Sequence, residues 1–289
     1  MFAPGGLHKI SILPNSHQRI HLSLSVWQNH LPLAPAEALV ELAAPLLEMK
    51  RNLPALLAVV FLGYAVVAAG QNISDPARIE VYVTPYYNSK GPTINVGPFS
   101  KGLGANTEPE FVATIARMKQ SWDTLSFPET YVAAIRLYDL GFRKEAIYWF
   151  YSAQYRGRLF ATLIDQQKMG SIGSPGFELF QAQNAFQQLV GPYINGYAFG
   201  DIDQLIPIIE KVQREGRAVP DLTKIYPNVI FKPRSEWHAG NEGLNEGLTK
   251  LVVTLKNEKA SIRQQRIERG MEAKFSKLPN KAMLKGIEP

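Results

Sequence analysis

Apolar positions change their period along this chain. Residues 78–84, RIEVYVT, alternate polar and apolar side chains with β-branched members, which predicts a short strand. Residues 85–106, PYYNSKGPTINVGPFSKGLGAN, are punctuated by proline and glycine and read as a loop. From residue 107 the period becomes helical. Thr107-Glu108-Pro109-Glu110 has the form of a capping box with proline in the first turn. Phe111, Ile115, Met118 and Trp122 then fall on one face. Ser126-Phe127-Pro128-Glu129 repeats the start signal, and Gly141 is placed to stop that helix after Leu140 in a left-handed turn. Further helices are predicted over 143–155, 158–165 and 177–190. Another runs from a cap at Asp201 to Arg214, and a long one covers 239–269 with Ser235 as its cap. The last carries an apolar stripe of Leu244, Leu248, Leu251, Val252 and Leu255. GSIGSPG at 170–176 and IYPNVIFKP at 225–233 break the pattern. The expected fold is mainly α, a bundle or short solenoid of helical hairpins with a short β segment near residues 78–84.

One stretch differs from all of this. Residues 49–71 read MKRNLPALLAVVFLGYAVVAAGQ. Lys50 and Arg51 precede an uncharged apolar run over 53–69, and the small residues Ala68, Ala69 and Gly70 close it. That is the layout of a signal peptide cleaved after Ala69 or Gly70. The run also reaches the lower limit for a membrane anchor, with its basic flank on the cytoplasmic side. Either reading exports residues 71–289; a buried core helix is the third reading. Residues 1–48 hold four of the five histidines, His8, His17, His21 and His30. They fit an upstream extension of a protein that starts at Met49, or a cytoplasmic tail ahead of an anchor. The expected order is therefore 1–48 extension, 49–70 signal or anchor, 71–105 strand and loop lead-in, 106–269 helical domain and 270–289 basic mobile tail.

Charge and residue usage narrow the chemistry. The formal net charge is +6, from 31 Lys and Arg against 25 Asp and Glu. Residues 1–70 hold four basic and three acidic side chains, so residues 71–289 keep 27 and 22, a net of +5. Residues 256–289 hold nine basic and four acidic side chains, also +5, so the excess sits in the tail. A tail of this kind offers weak contact with anionic lipid or an acidic protein face, while export argues against nucleic acid. As a solvated helix face it needs no partner at all. With no cysteine there is no disulfide, thiolate metal site or thiol nucleophile. After export only His238 remains, which rules out a multi-histidine metal centre. Neither a G-x-S-x-G elbow nor an H-E-x-x-H helix is present. No catalytic residue, metal or cofactor is expected. Paired carboxylates are the remaining route to catalysis. The candidates are Glu108, Glu110, Glu129, Asp201 and Asp203, and each also suits a helix N-terminus.

The most specific stretch is TYVAAIRLYDLGFRKEAIYWFYSA, residues 130–153. Ala134, Leu137, Gly141, Ala146, Phe150 and Ala153 have the spacing at which small residues let two helices approach and larger ones fill the gap. The segment resembles a tetratricopeptide repeat or its relative, the Sel1-like repeat. It departs from that pattern at Thr130, where an aromatic is common, and at Arg158, which stands for the closing proline. Residues 193–212 echo it weakly through Gly200, Leu205, Ile209 and Val212. The offset from Ala146 to Leu205 does not match the family period of about 34 residues. An ordinary antiparallel helix pair would also place alanines this way.

The resemblance implies a concave surface that holds a peptide or protein face. Tyr148, Trp149, Tyr151 and Tyr155 are the expected contact residues, because aromatics this dense exceed one buried stripe and tyrosine is enriched at interfaces. Packing against neighbouring helices of the same domain is the competing expectation. Together these features suggest an exported, periplasmic protein-binding module. The specific version is an immunity-type protein that neutralises an envelope-directed toxin. The alternatives are an envelope-assembly adaptor and an exported hydrolase using carboxylates.

Overall fold

The computed structural model describes residues 20–21, 73, 75–79, 93–94, 96–105 and 107–282. The apolar run at 53–69 and most of the strand expected at 78–84 lie outside the described residues; Arg78 and Ile79 are in no strand. Ile20–His21 pairs antiparallel with Thr93–Ile94, and Ile164 makes a single bridge to Phe231. Everything else that is regular among the described residues is helical. The helices are α1 Ser100–Leu103, α2 Glu108–Gln120, α3 Phe127–Asp139, α4 Arg143–Leu163, α5 Pro175–Ala198, α6 Ile202–Glu215, α7 Leu222–Ile225, α8 Trp237–Asn257, α9 Lys259–Glu268 and α10 Met271–Phe275. Among the described residues no helix is long and apolar enough to cross a membrane.

The start and stop signals that rest on local chemistry are made as written. Glu129 N–H donates to Ser126 Oγ at 3.4 Å, and Ser126 N–H donates to Glu129 Oε2 at 2.7 Å. That is a closed capping box at the head of α3. At its foot Gly141 has φ +92°, Phe142 N–H donates to Leu137 O at 2.9 Å, and Gly141 N–H donates to Tyr138 O at 3.0 Å. This two-bond ending needs a left-handed residue, and glycine takes it without a Cβ clash. Asp201 Oδ1 accepts from Gln204 N–H at 3.1 Å and caps α6. Thr107 stands at the N-cap of α2, but its side chain makes no capping bond.

Helix α4 is the axis of the fold. Every residue from 145 to 155 is buried. Three turns of helix with no exposed position must be covered from all sides. Helices α3, α5, α6 and α8 all pack on α4, and α6 packs on α8. The helices expected over 143–155 and 158–165 are thus one. Gly157 keeps α4 continuous where α5 crosses it: a Cβ there would lie 1.8 Å from Gln183 Oε1. Glycine is a helix-weakening residue by propensity alone, and here the close approach requires it. Helix α5 is longer than the stretch expected at 177–190 and runs through Pro192 to Ala198. Tertiary packing sustains it past a residue that cannot donate to the helix ladder.

The segment after α7 is extended, as its prolines suggest, and it is fastened to the end of α4. Lys232 N–H donates to Leu163 O at 2.8 Å and Asp165 N–H donates to Ile230 O at 3.0 Å. Phe160 lies 4.9 Å from Tyr226 and 5.8 Å from Phe231, ring centre to ring centre. The helix expected at 239–269 is two helices, α8 and α9, parted at Glu258. Glu236, not Ser235, is the N-cap of α8 and makes no side-chain capping bond.

Residues 271–282 are packed on the bundle, and 283–289 of the expected mobile tail lie outside the described residues. Phe275 is 2% exposed, and its ring lies against Gly196 of α5. Lys281 N–H donates to Gly141 O at 2.9 Å, Asn280 Oδ1 accepts from Lys144 N–H at 2.9 Å, and Arg143 donates to Pro279 O. Residues 271–282 therefore strap the turn of the α3–α4 hairpin. A tail with one buried aromatic and several backbone bonds has the contacts that hold a terminus down.

Asp139, at the end of α3, is half-buried and accepts from Ile79 N–H at 2.8 Å. Burial pushes its carboxyl up to about 6, against the pull of that N–H and of Arg136, Arg78 and Arg143. A carboxyl raised on folding leaves stability intact below its unfolded value near 3.8 and removes it as pH rises through 6. Asp139→Asn keeps the acceptor and cannot ionise. It should raise stability over wild type by about 1–2 kcal/mol at pH 7.5, after allowance for partial exposure, and by almost nothing at pH 3.5. Urea midpoints of both proteins at the two pH values check this; an equal effect at both would mean the charge is not what matters.

Candidate functional site

Along α4 the residues Tyr151, Gln154 and Arg158 are spaced three and four apart, so they share one face. Gln187 and Asn195 lie about two turns apart on α5, and Phe199 follows one turn later as the residue that ends it. Where these residues meet α8 at Leu251, a small cleft remains. Its space accommodates about one or two water molecules. Arg158, three amides and a tyrosine hydroxyl supply its polar wall, and Phe199 and Leu251 supply its apolar wall. None of the lining side chains is acidic.

The polar groups are held in defined orientations. Tyr151 O–H donates to Asn195 Oδ1 at 3.0 Å. This fixes the Asn195 amide and leaves its NH₂ as the group still to be satisfied. Gln154 is only 5% exposed where it lines the cleft. Behind the cleft, burial pushes the Tyr131 phenol well above its usual value, and the nearby Arg158 charge pulls it back.

The four aromatics expected at a contact surface lie inside the bundle, which corrects that expectation. Tyr148 donates to Glu215 Oε2 at 2.6 Å, with Trp122 stacked 5.4 Å from its ring. Trp149 is 0% exposed and donates through Nε1 to Glu145 Oε1 at 3.0 Å. The Tyr155 hydroxyl sits 2.6 Å from Asn241 Oδ1 and accepts from Asn245 Nδ2 at 2.9 Å. Only Tyr151 of the four touches the cleft. The residues of the repeat-like pattern, Ala134, Leu137, Ala146, Phe150 and Ala153, are buried as well, at the crossing of α3 and α4.

The candidate carboxylates are dispersed over three helix starts. Glu129 closes the capping box and Asp201 caps α6. Asp203 pairs with Lys259, and Glu108 pairs with Lys281 at 2.6 Å. Glu110 is exposed in the first turn of α2. None of these five lines the cleft. His238 is exposed and stands 3.1 Å from Glu242, one turn along α8. No group of three or more potential metal ligands occurs among the described residues. Part of the tail's positive charge is used internally, since Arg266 is buried against Glu272 at 3.1 Å and donates to Gly196 O at 2.8 Å.

Sequence reasoning missed Gln154, Arg158, Gln187 and Asn195. The available signal was polar residues on the inner faces of helices that are otherwise apolar. It is weak in isolation, because amides at helical spacing also suit a solvated face.

No family model matches this chain. No solved structure matches it either. It is similar to an uncharacterized protein of Haemophilus influenzae, 25% identical over 191 residues, which covers 64% of this chain and 70% of that protein.

Proposed function

We propose that this chain is a protein-binding module exported to the bacterial periplasm or held at the inner membrane facing it. Its α3–α4 hairpin would be a tetratricopeptide- or Sel1-like unit, and its activity the immunity-type neutralisation of an envelope-directed toxin. The observation that carries the binding role is the cleft between α4, α5 and α8, lined by Arg158, three amides and the Tyr151 hydroxyl beside Phe199 and Leu251. A concave opening with a few converging polar groups and an apolar wall is the usual form of a ligand site. The export half of the reading rests on the signal-like stretch at 49–70. The immunity step rests on compartment and architecture by analogy.

The test is made in the source bacterium with the full chain tagged at its C-terminus. Fractionation should place the chain in the periplasm or inner membrane, and cross-linking should recover one stoichiometric partner. Deletion should make cells sensitive to toxin-producing neighbours while leaving envelope integrity intact. A cytosolic chain would end the export reading. A deletion that damages the envelope without any toxin would favour the assembly adaptor instead.

A further inference from the structure

We infer that the end of the bundle formed by the α3–α4 turn and the C-terminal strap is a docking surface for anionic lipid headgroups, held against the bilayer by the apolar run at 53–69. The inference deepens the export reading above and rests on its anchored form.

The path of the chain determines which end faces the membrane. Ile73 is 5% exposed and belongs to the core, and Lys274 of the strap donates to its carbonyl at 3.5 Å. The residues that follow are fastened to the same end. Tyr138 O–H donates to Pro76 O at 2.7 Å, Arg143 Nη2 donates to Ala77 O at 3.1 Å, and Asp139 accepts from Ile79 N–H at 2.8 Å. These partners stand at the foot of α3 and the head of α4. Residues 70–72 are all that separate Ile73 from Ala69, the last residue of the apolar run. Four Cα steps reach at most about 14 Å. With the run in a bilayer, the α3–α4 turn and the strap are therefore the part of the bundle brought to its surface. The far end of α4 is about 30 Å away, the length of its 21 residues.

The charge on this end fits an anionic surface. Lys144, Lys274 and Lys277 are exposed, and none of them has a carboxylate partner among the described residues. Lys144 bonds the strap through its backbone N–H, and Lys274 meets a carbonyl, so both ammonium charges stay uncancelled. The carboxylates nearby face other cations. Glu108 pairs with Lys281, Glu272 pairs with Arg266, and Asp139 stands among Arg78, Arg136 and Arg143. Asp75 is exposed and accepts from Ala77 N–H. The balance at this end is positive. Lysines close to an anionic bilayer are attracted to it over about one Debye length, and the tether brings these within that range. Ammonium groups on flexible stems meet headgroup phosphates as point charges, so no cleft is required.

The test measures which end of the full chain approaches the lipid. The sequence has no cysteine, so one dye can be placed at a time. S276C puts it on the strap, and I172C puts it on the loop beyond the far end of α4, where Ile172 is 78% exposed. The full chain is reconstituted in vesicles of equal parts phosphatidylcholine and phosphatidylglycerol with an acceptor dye on the headgroups. Energy transfer from S276C is expected to exceed that from I172C by about twofold or more, and to fall by about half in pure phosphatidylcholine or in K144Q/K274Q/K277Q. Equal transfer from the two positions would overturn the inference. So would transfer from S276C that is the same in neutral vesicles and in the folded triple variant, because the tether alone would then set the distance. If the triple variant does not fold by circular dichroism, the neutral vesicles decide. Carbonate extraction of membranes from the source bacterium tests the anchor separately. A chain that washes off ends the anchored reading and this inference with it. A chain that resists extraction but shows no charge-dependent approach of the strap keeps the anchor and overturns the docking surface alone.

Discussion

Trp149→Ala is expected to cost about 3–5 kcal/mol, a large share of the stability of an ordinary domain. The indole is 0% exposed, packs edge-on 5.0 Å from Trp122, and donates to a carboxylate that is itself wholly buried. Removing it opens a cavity at the bundle axis and takes from Glu145 one of its two partners; the other, Lys119, lies 3.2 Å away. Burial already pushes the Glu145 carboxyl up, and the Lys119 charge and the Trp149 N–H draw it back. Loss of the N–H therefore adds an electrostatic penalty to the cavity. Trp149→Phe separates the two effects. It retains most of the packing and should cost about 1–2 kcal/mol, the usual size for a buried group left short of a hydrogen bond. Urea unfolding followed by circular dichroism reads both. A change under about 0.5 kcal/mol in the alanine variant would return Trp149 to the surface, where such substitutions are nearly neutral.

Phe275→Ala is expected to release the C-terminal strap at a cost of about 3 kcal/mol. The ring is the buried anchor of residues 271–282 and lies against a glycine face of α5. Without it the strap keeps the partly buried Met271 and Leu278 and a set of polar contacts, among them Lys281 with Glu108 at 2.6 Å, and exposed pairs of that kind contribute little. Trypsin cleavage after Lys274 and Lys277 should then speed at least tenfold, because proteolysis follows the population of the open form. Equal cleavage rates in variant and wild type would mean that the tail is loose in both. The same variant should lower the thermal midpoint, since the strap closes over the α3–α4 turn at Gly141.

These two predictions concern residues that sequence reasoning placed elsewhere, and for one reason. The sequence points Trp149 to an outer face because residues 148–155 hold more aromatics than one stripe can bury. That count assumes a helix with one inner face. Helix α4 has neighbours on every side, which only the arrangement of α3, α5, α6 and α8 reveals. The tail was assigned to solvent because it is rich in Lys and Arg. Its single deep contact, Phe275 on Gly196, joins positions 79 residues apart, and charge density carries no trace of it. The cleft is a further case. Gln154 and Arg158 come from one helix and Gln187 and Asn195 from another, and no local pattern pairs them.

By itself the sequence determined what depends on neighbours in the chain. The Ser126–Glu129 box, the Gly141 stop and the Asp201 cap are bonds between residues within a few positions, so their geometry follows from backbone chemistry alone. The mainly helical character follows from the 3.6-residue period for the same reason. Tertiary structure decided which faces are inside. A side chain's burial is a property of what packs over it, and the covering residues here lie tens to hundreds of positions away. That is why the tyrosines became core, the tail became a strap, and four polar residues became a cleft.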